Sequence, residues 1–176
     1  MTKNNRLVSL FPAFAFLGIA VLSALWMALG TSPAEAAGEP IVVIVNKSNP
    51  VDNLSMEELK KLFLSDRSRW DTGKAVAPVI LPPGTPERTS FLKKVCGMSD
   101  ADMNKYFMQA AFTGKSATPP KPLSSAAAVK AFVAESPGAI GFVKGMDFHG
   151  DGSDGGVKAV KIDGAAAGDA GYKLRM

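Results

Sequence analysis

The chain has 176 residues, 47% of them apolar and 20% charged, with a net charge of +4, one cysteine and one histidine. That length suits one soluble domain, and the basic residues are scattered, with no Lys/Arg run interleaved with aromatics to mark a nucleic-acid binder. Cys96 alone rules out an internal disulfide, and His149 alone leaves no Ser/His/Asp or Cys/His set to assemble, so neither catalysis nor a cofactor is expected.

Lys3 and Arg6 precede residues 7–29 (LVSLFPAFAFLGIAVLSALWMAL), which carry no charge and lead into TSPAEAAGEP. A basic start, an apolar stretch and small residues at Ala34 and Ala36 have the form of a secretory signal cut after Ala36. The stretch is also long enough to span a bilayer at about 20 residues, so a retained anchor is the alternative. Either way the expected place is periplasmic or extracytoplasmic. Residues 1–36 are therefore set apart as the leader, 37–163 as one domain, and 164–176, beginning GAAAGDAGY, as a loosely ordered tail. Without Lys3, Arg6 and Glu35 the remainder carries +3, which permits an anionic ligand.

In chain order, IVVIV (41–45) suits a strand buried on both faces. Ser55-Met-Glu-Glu58 is a capping box, with Met56, Leu59, Leu62 and Phe63 on one helical face. SDRSRWDTGKA (65–75) is a polar loop anchored by Trp70, and VAPVIL (76–81) is a second strand with Pro78 at an edge or at its beginning. A helix starts at Thr85-Pro86 and stops at Gly97, with Cys96 on its apolar side as a small buried hydrophobe. Ser99 opens the next helix, with Met103, Phe107 and Ala110 or Ala111 inward. TGKSATPPKP (113–122) is a loop, and Ser124 or Ser125 caps a helix to about Glu135. AIGFV (139–143) and VKAVKID (157–163) are strands, joined by the hairpin-like turn HGDGSDGG (149–156). This alternation predicts an α/β domain, a mixed β-sheet flanked by helices.

The stretch ILPPGTPERTSF (80–91) has the geometry that favours an anion. Thr85 offers a hydroxyl, the N–H groups of residues 87–89 point out of the helix start, and Arg88 can supply charge-assisted donors. Against it, Pro86 removes one N–H and Glu87 brings a carboxylate to the same place. A structural cap and an anion site both remain open on local chemistry. The other features read as ordinary surface: His149 in a solvated turn, GDGSDGG as a tight turn without the later Glu of a calcium loop, and Glu57 and Glu58 beside Lys60 and Lys61 on a solvated helix face.

The order of IVVIVNKSNPVDNLSMEELKKLFL, then RW (69–70), PVILPPGTPERTSF and SPGAIGFV resembles the phosphate-binding proteins of ABC phosphate importers, across about residues 41–143. The resemblance implies one lobe of a type 2 periplasmic binding protein fold, binding phosphate or another small oxyanion without chemistry of its own, with a membrane transporter or envelope sensor as partner. Counting back from Phe91, that family's Ser-Gly-Thr anion loop falls on Thr85-Pro86-Glu87, and Arg88 is placed to compensate for the missing donors. The implied contacts are Thr85, Arg88, Thr89 and Ser90, with Ser48 and Asn49 in the turn after the first strand as a second set. The family holds phosphate between two lobes and this sequence matches one, so the other wall would come from a second protomer or another protein. The alternative is a ligand-free periplasmic adaptor that keeps the fold and presents a sheet edge or the 113–122 loop.

Overall fold

A computed structural model describes residues 38–150 and 154–176; the expected leader and the middle of the Gly-rich turn lie outside them. In chain order the strands are β1 (Ile41–Asn46), β2 (Asn53–Leu54), β3 (Ala77–Ile80), β4 (Lys121–Pro122), β5 (Ala139–Lys144), β6 (Val157–Ala159) and β7 (Lys161–Ile162). The helices are α1 (Met56–Phe63), α2 (Pro86–Phe91), α3 (Asp100–Phe112) and α4 (Ala126–Glu135).

β1 is buried at every position, as its β-branched run requires. It pairs antiparallel with β5 on one side and β6 on the other, while β5 and β3 run parallel and β4 forms the far edge, giving the order β4-β3-β5-β1-β6. Pro78 lies in the first half of β3, where β4 does not reach, so its missing N–H breaks no ladder bond. β2 and β7 form a separate two-stranded parallel ribbon.

Side chains alternate across β5 and sort the helices by face. Phe142 stacks on Phe91 of α2 with ring centroids 4.0 Å apart, and Phe63 of α1 tilts against Phe91 at 4.6 Å. Gly141 points the other way, toward α4: a Cβ there would come within 2.7 Å of Val129 Cγ1 and 2.8 Å of Val79 Cγ2. Only glycine permits that approach. The mixed sheet flanked by helices is thus as expected, and so are the capping box at Ser55/Glu58 and the helix start at Ser99, where the structure adds a second box with Asp102. Trp70 is buried as the loop anchor, its indole N–H donating to Gly138 O at 2.9 Å.

Three expectations need correction. β5 and β6 do not form a hairpin, because β1 lies between them. The run 157–163 is not one strand: Val160 donates its N–H to Val43 O, after which β7 leaves the main sheet for β2. The tail is not loose. Tyr172 and Leu174 are buried, Ile41 N–H donates to Leu174 O at 2.9 Å, and Tyr172 Oη donates to Ile41 O at 2.7 Å. The tail takes over the β1 edge where β6 stops.

Candidate functional site

β3 and β5 are parallel, so their C-terminal ends open to the same side of the sheet, the side on which ligands collect in α/β folds. Leu81 to Gly84 carries the chain off β3 into α2, with Gly84 at φ 85°, a left-handed conformation that glycine adopts without strain. Thr85 occupies the N-cap position, yet its hydroxyl donates back to Pro82 O at 3.0 Å instead of accepting from the helix. The first N–H groups of α2 therefore receive no side-chain cap. α2 runs on into a π-helical turn, Leu92–Cys96, closed by Gly97 at φ 70°.

Glu87, in the first turn of α2, is buried. One of its carboxylate oxygens lies 3.2 Å from Lys144 Nζ at the end of β5, and the other is buried with no partner among the described residues. The hydrogen bond and charge of Glu87 hold the Lys144 ammonium above its ordinary pKa. The helix start thus already contains a carboxylate and its counter-charge. A second anion brought to about 4 Å from Glu87 would be repelled by roughly 1 kcal/mol in water and about 4 at an intermediate dielectric.

Arg88 is also buried, but its bonds are internal. Nε meets Asp100 Oδ1 at 2.5 Å and Nη1 donates to Leu81 O at 2.7 Å. It ties the start of α2 to the start of α3 and to the end of β3. Asp100 is well placed for this, since a carboxylate in the first turn also suits the dipole of α3. Thr89 is exposed and Ser90 is half-buried, and both lie on the same short helix as Thr85.

Ser48 and Asn49 are not brought to this place. Ile41 opposes Lys144 and Val45 opposes Ile140, so the turn after β1 lies at the other end of β5, roughly 13 Å away at about 3.3 Å per residue. Ser48 donates its N–H and its hydroxyl to Asn46 Oδ1, and Asn49 Oδ1 accepts from Val51 N. The residue that matters there is Asn46, whose buried amide donates to Val133 O at 2.9 Å and Ala134 O at 2.7 Å and closes the end of α4. Its signal in the sequence is one amide ending an otherwise apolar run. Lys144 was missed for a different reason: only the strand register brings it to Glu87.

Cys96 is buried, and burial pushes its thiol up to about 11. His149 is exposed and 3.6 Å from Asp154. No cluster of three metal-ligating side chains occurs among the described residues, and no helix there is long and apolar enough to cross a membrane. On α3, Met108 and Phe112 stand one turn apart and are 58% and 85% exposed.

No protein-family model matches the chain. The fold is similar to that of a protein described as a phosphate ABC transporter substrate-binding protein with bound phosphate, from Clostridium perfringens (TM-score 0.58, 22% identity, 74% of this chain and 48% of that one). It is similar also to an ABC-type phosphate transport receptor from Vibrio cholerae (0.59, 21%, 74% and 49%). A third likeness is to PstS from Borrelia burgdorferi (0.56, 11%, 73% and 49%). The chain spans about half the length of these structures. At these identities the likeness is one of fold.

Proposed function

We propose that the protein is an exported, non-catalytic binding module of the phosphate-binding-protein type, meeting phosphate or a similar small oxyanion at the start of α2 for an ABC uptake or sensing system. The observation that carries this reading is the position of that helix start. It stands at the C-terminal ends of the parallel β3 and β5, uncapped, with the Lys144 ammonium beside it. The fold shared with structures described as phosphate-binding supports it, and the leader supports export, with membrane anchorage if the leader stays. Thr89 and Ser90 would supply hydroxyl donors, Thr85 would add a third by turning its hydroxyl from Pro82 O to the anion, and Arg88 would hold the helix start in place. Calorimetric titration of the Ala37–Met176 unit, dialysed free of anions, tests it with phosphate against sulfate. Saturable, phosphate-selective heat supports the site, and none up to about 5 mM rejects it.

A second reading rests on a separate observation. Glu87 fills the helix start with its own charge, and Met108 and Phe112 expose an apolar pair on α3. In that reading the protein keeps the fold without the anion and serves as a periplasmic adaptor, with a second protomer or an envelope protein as its partner. Silence in the phosphate titration, together with weakened self-association or partner capture in Phe112→Ser, would favour it.

A further inference from the structure

A cleft of about 330 Å³ lies where β3 begins, at the opposite end of that strand from α2. Its volume falls at the lower end of the range of small-molecule sites, roughly 300–1,000 Å³. Three stretches distant in sequence wall it: the turn at 65–68 after α1, the first half of β3, and the segment 116–121 entering β4, with Phe132 of α4 at its side. The walls are tied together before any ligand arrives. Ser65 has φ 60°, a left-handed conformation uncommon for a non-glycine residue, and its hydroxyl donates to Thr118 O at 2.6 Å across the cleft.

The lining contains no carboxylate. It offers two cations, Arg67 and Lys121, and several hydroxyls over an apolar floor from Leu62, Val76 and Pro78. Arg67 is already satisfied by Asp71 at 2.5 Å, Glu58 at 3.7 Å and the carbonyl of Arg69. Lys121 is different. It has no carboxylate within ion-pair distance among the described residues, and its Nζ rests 4.5 Å from the centre of the Phe132 ring. Phe132 is half-buried, and a lysine held only by a ring face gains more from a carboxylate, with which it forms a charge-assisted hydrogen bond.

We propose that this cleft binds a small organic carboxylate with an apolar body. Lys121 swings from Phe132 onto the carboxylate, the vacated ring stacks against the apolar body, and the floor buries the remainder. One free cation matches one negative charge. A phosphate dianion would bring a second charge with no counter-ion into a cleft whose floor is apolar. The site is independent of the reading at α2, because none of its lining residues belongs to that helix start.

The test is a titration of isotope-labelled Ala37–Met176 with benzoate, followed by backbone amide shifts, with benzyl alcohol and inorganic phosphate as controls. Saturable benzoate shifts confined to residues 65–68, 76–78 and 116–121, at least about tenfold weaker in Lys121→Gln, are expected. Lys121 is exposed, so that variant should keep the parent spectrum elsewhere. The proposal is overturned by no saturable shift in the cleft up to about 10 mM benzoate. It is equally overturned by benzyl alcohol or phosphate binding there as well as benzoate, or by an unchanged affinity in Lys121→Gln.

Discussion

Glu87 and Lys144 meet at 3.2 Å between the first turn of α2 and the last residue of β5, and this pair governs what the helix start can accept. Removing the carboxylate frees the lysine and lifts the repulsion on an incoming anion. Glu87→Thr is therefore expected to tighten phosphate binding about five- to tenfold, from roughly 1 kcal/mol of relieved repulsion. Calorimetric titration of the parent and the variant measures it. Equal affinities would show that no anion sits beside this helix.

Arg88 looked from the sequence like a ligand contact, but its bonds to Asp100 and Leu81 O make it a clamp. Arg88→Ala strips the partner from a carboxylate and from a buried carbonyl. A loss of about 2–3 kcal/mol in stability is expected, from urea unfolding. Arg88→Lys should recover part of it, since an ammonium reaches only one of the two acceptors. An Arg88→Ala protein of full stability that has lost phosphate affinity would return the residue to the ligand.

Local signals were legible and long-range ones were not. Ser55 with Glu58, and Ser99 with Asp102, cap their helices through residues three apart, so their spacing alone reveals them. Gly97 stops its helix in the same local way. The placement of β1 between β5 and β6 depends on pairing across about a hundred residues, and the Gly-rich turn between β5 and β6 imitated a hairpin. Glu87 was recognised as a charge at the helix start, while its partner was hidden because Lys144 arrives from another strand. Ser48 and Asn49 followed a landmark in the chain, and the register of β1 on β5 took them to the far end.

Asp154 should give the fold an acid-sensitive step. Burial would raise its pKa, but the Lys130 ammonium and the N–H groups of Gly150 and His149 outweigh this and hold it well below the carboxylate range. A depressed folded-state pKa contributes stability that is fully present above the unfolded value, about 3.9, and is lost as pH falls toward the folded value. Stability measured by urea unfolding should thus decline from about pH 5 downward. Asp154→Asn should be less stable than the parent at pH 7 and show a flatter slope. Parallel slopes would mean that other carboxylates dominate.

Cys96 offers a direct probe of the core behind α2. With burial pushing the thiol up to about 11, only about 0.1% is thiolate at pH 8, and the side chain is enclosed as well. An aromatic disulfide reagent is expected to leave the native protein unlabelled over minutes and to label one thiol completely in urea. Rapid labelling without urea would show that the π-helical turn at Leu92–Cys96 opens readily.

The end of the chain should prove to be part of the sheet. Tyr172 Oη donates to Ile41 O, Ile41 N–H to Leu174 O, and Met176 N–H to Glu39 O at 2.9 Å, so the last residues continue the edge beside β1 that β6 leaves uncovered. Removing residues 172–176 would forfeit the burial of the Leu174 and Tyr172 side chains, worth about 1.5–3 kcal/mol each, uncover the core they pack against and leave bare strand edge. That is a large share of the roughly 5–15 kcal/mol that holds a typical domain, so the truncated protein is expected to unfold or aggregate at 37 °C. Tyr172→Phe keeps the buried ring and removes only the hydroxyl, so about 1–2 kcal/mol should be lost, read as a fall in Tm by circular dichroism. A truncated chain that melts with the parent would mean that β1 needs no partner beyond β5 and β6.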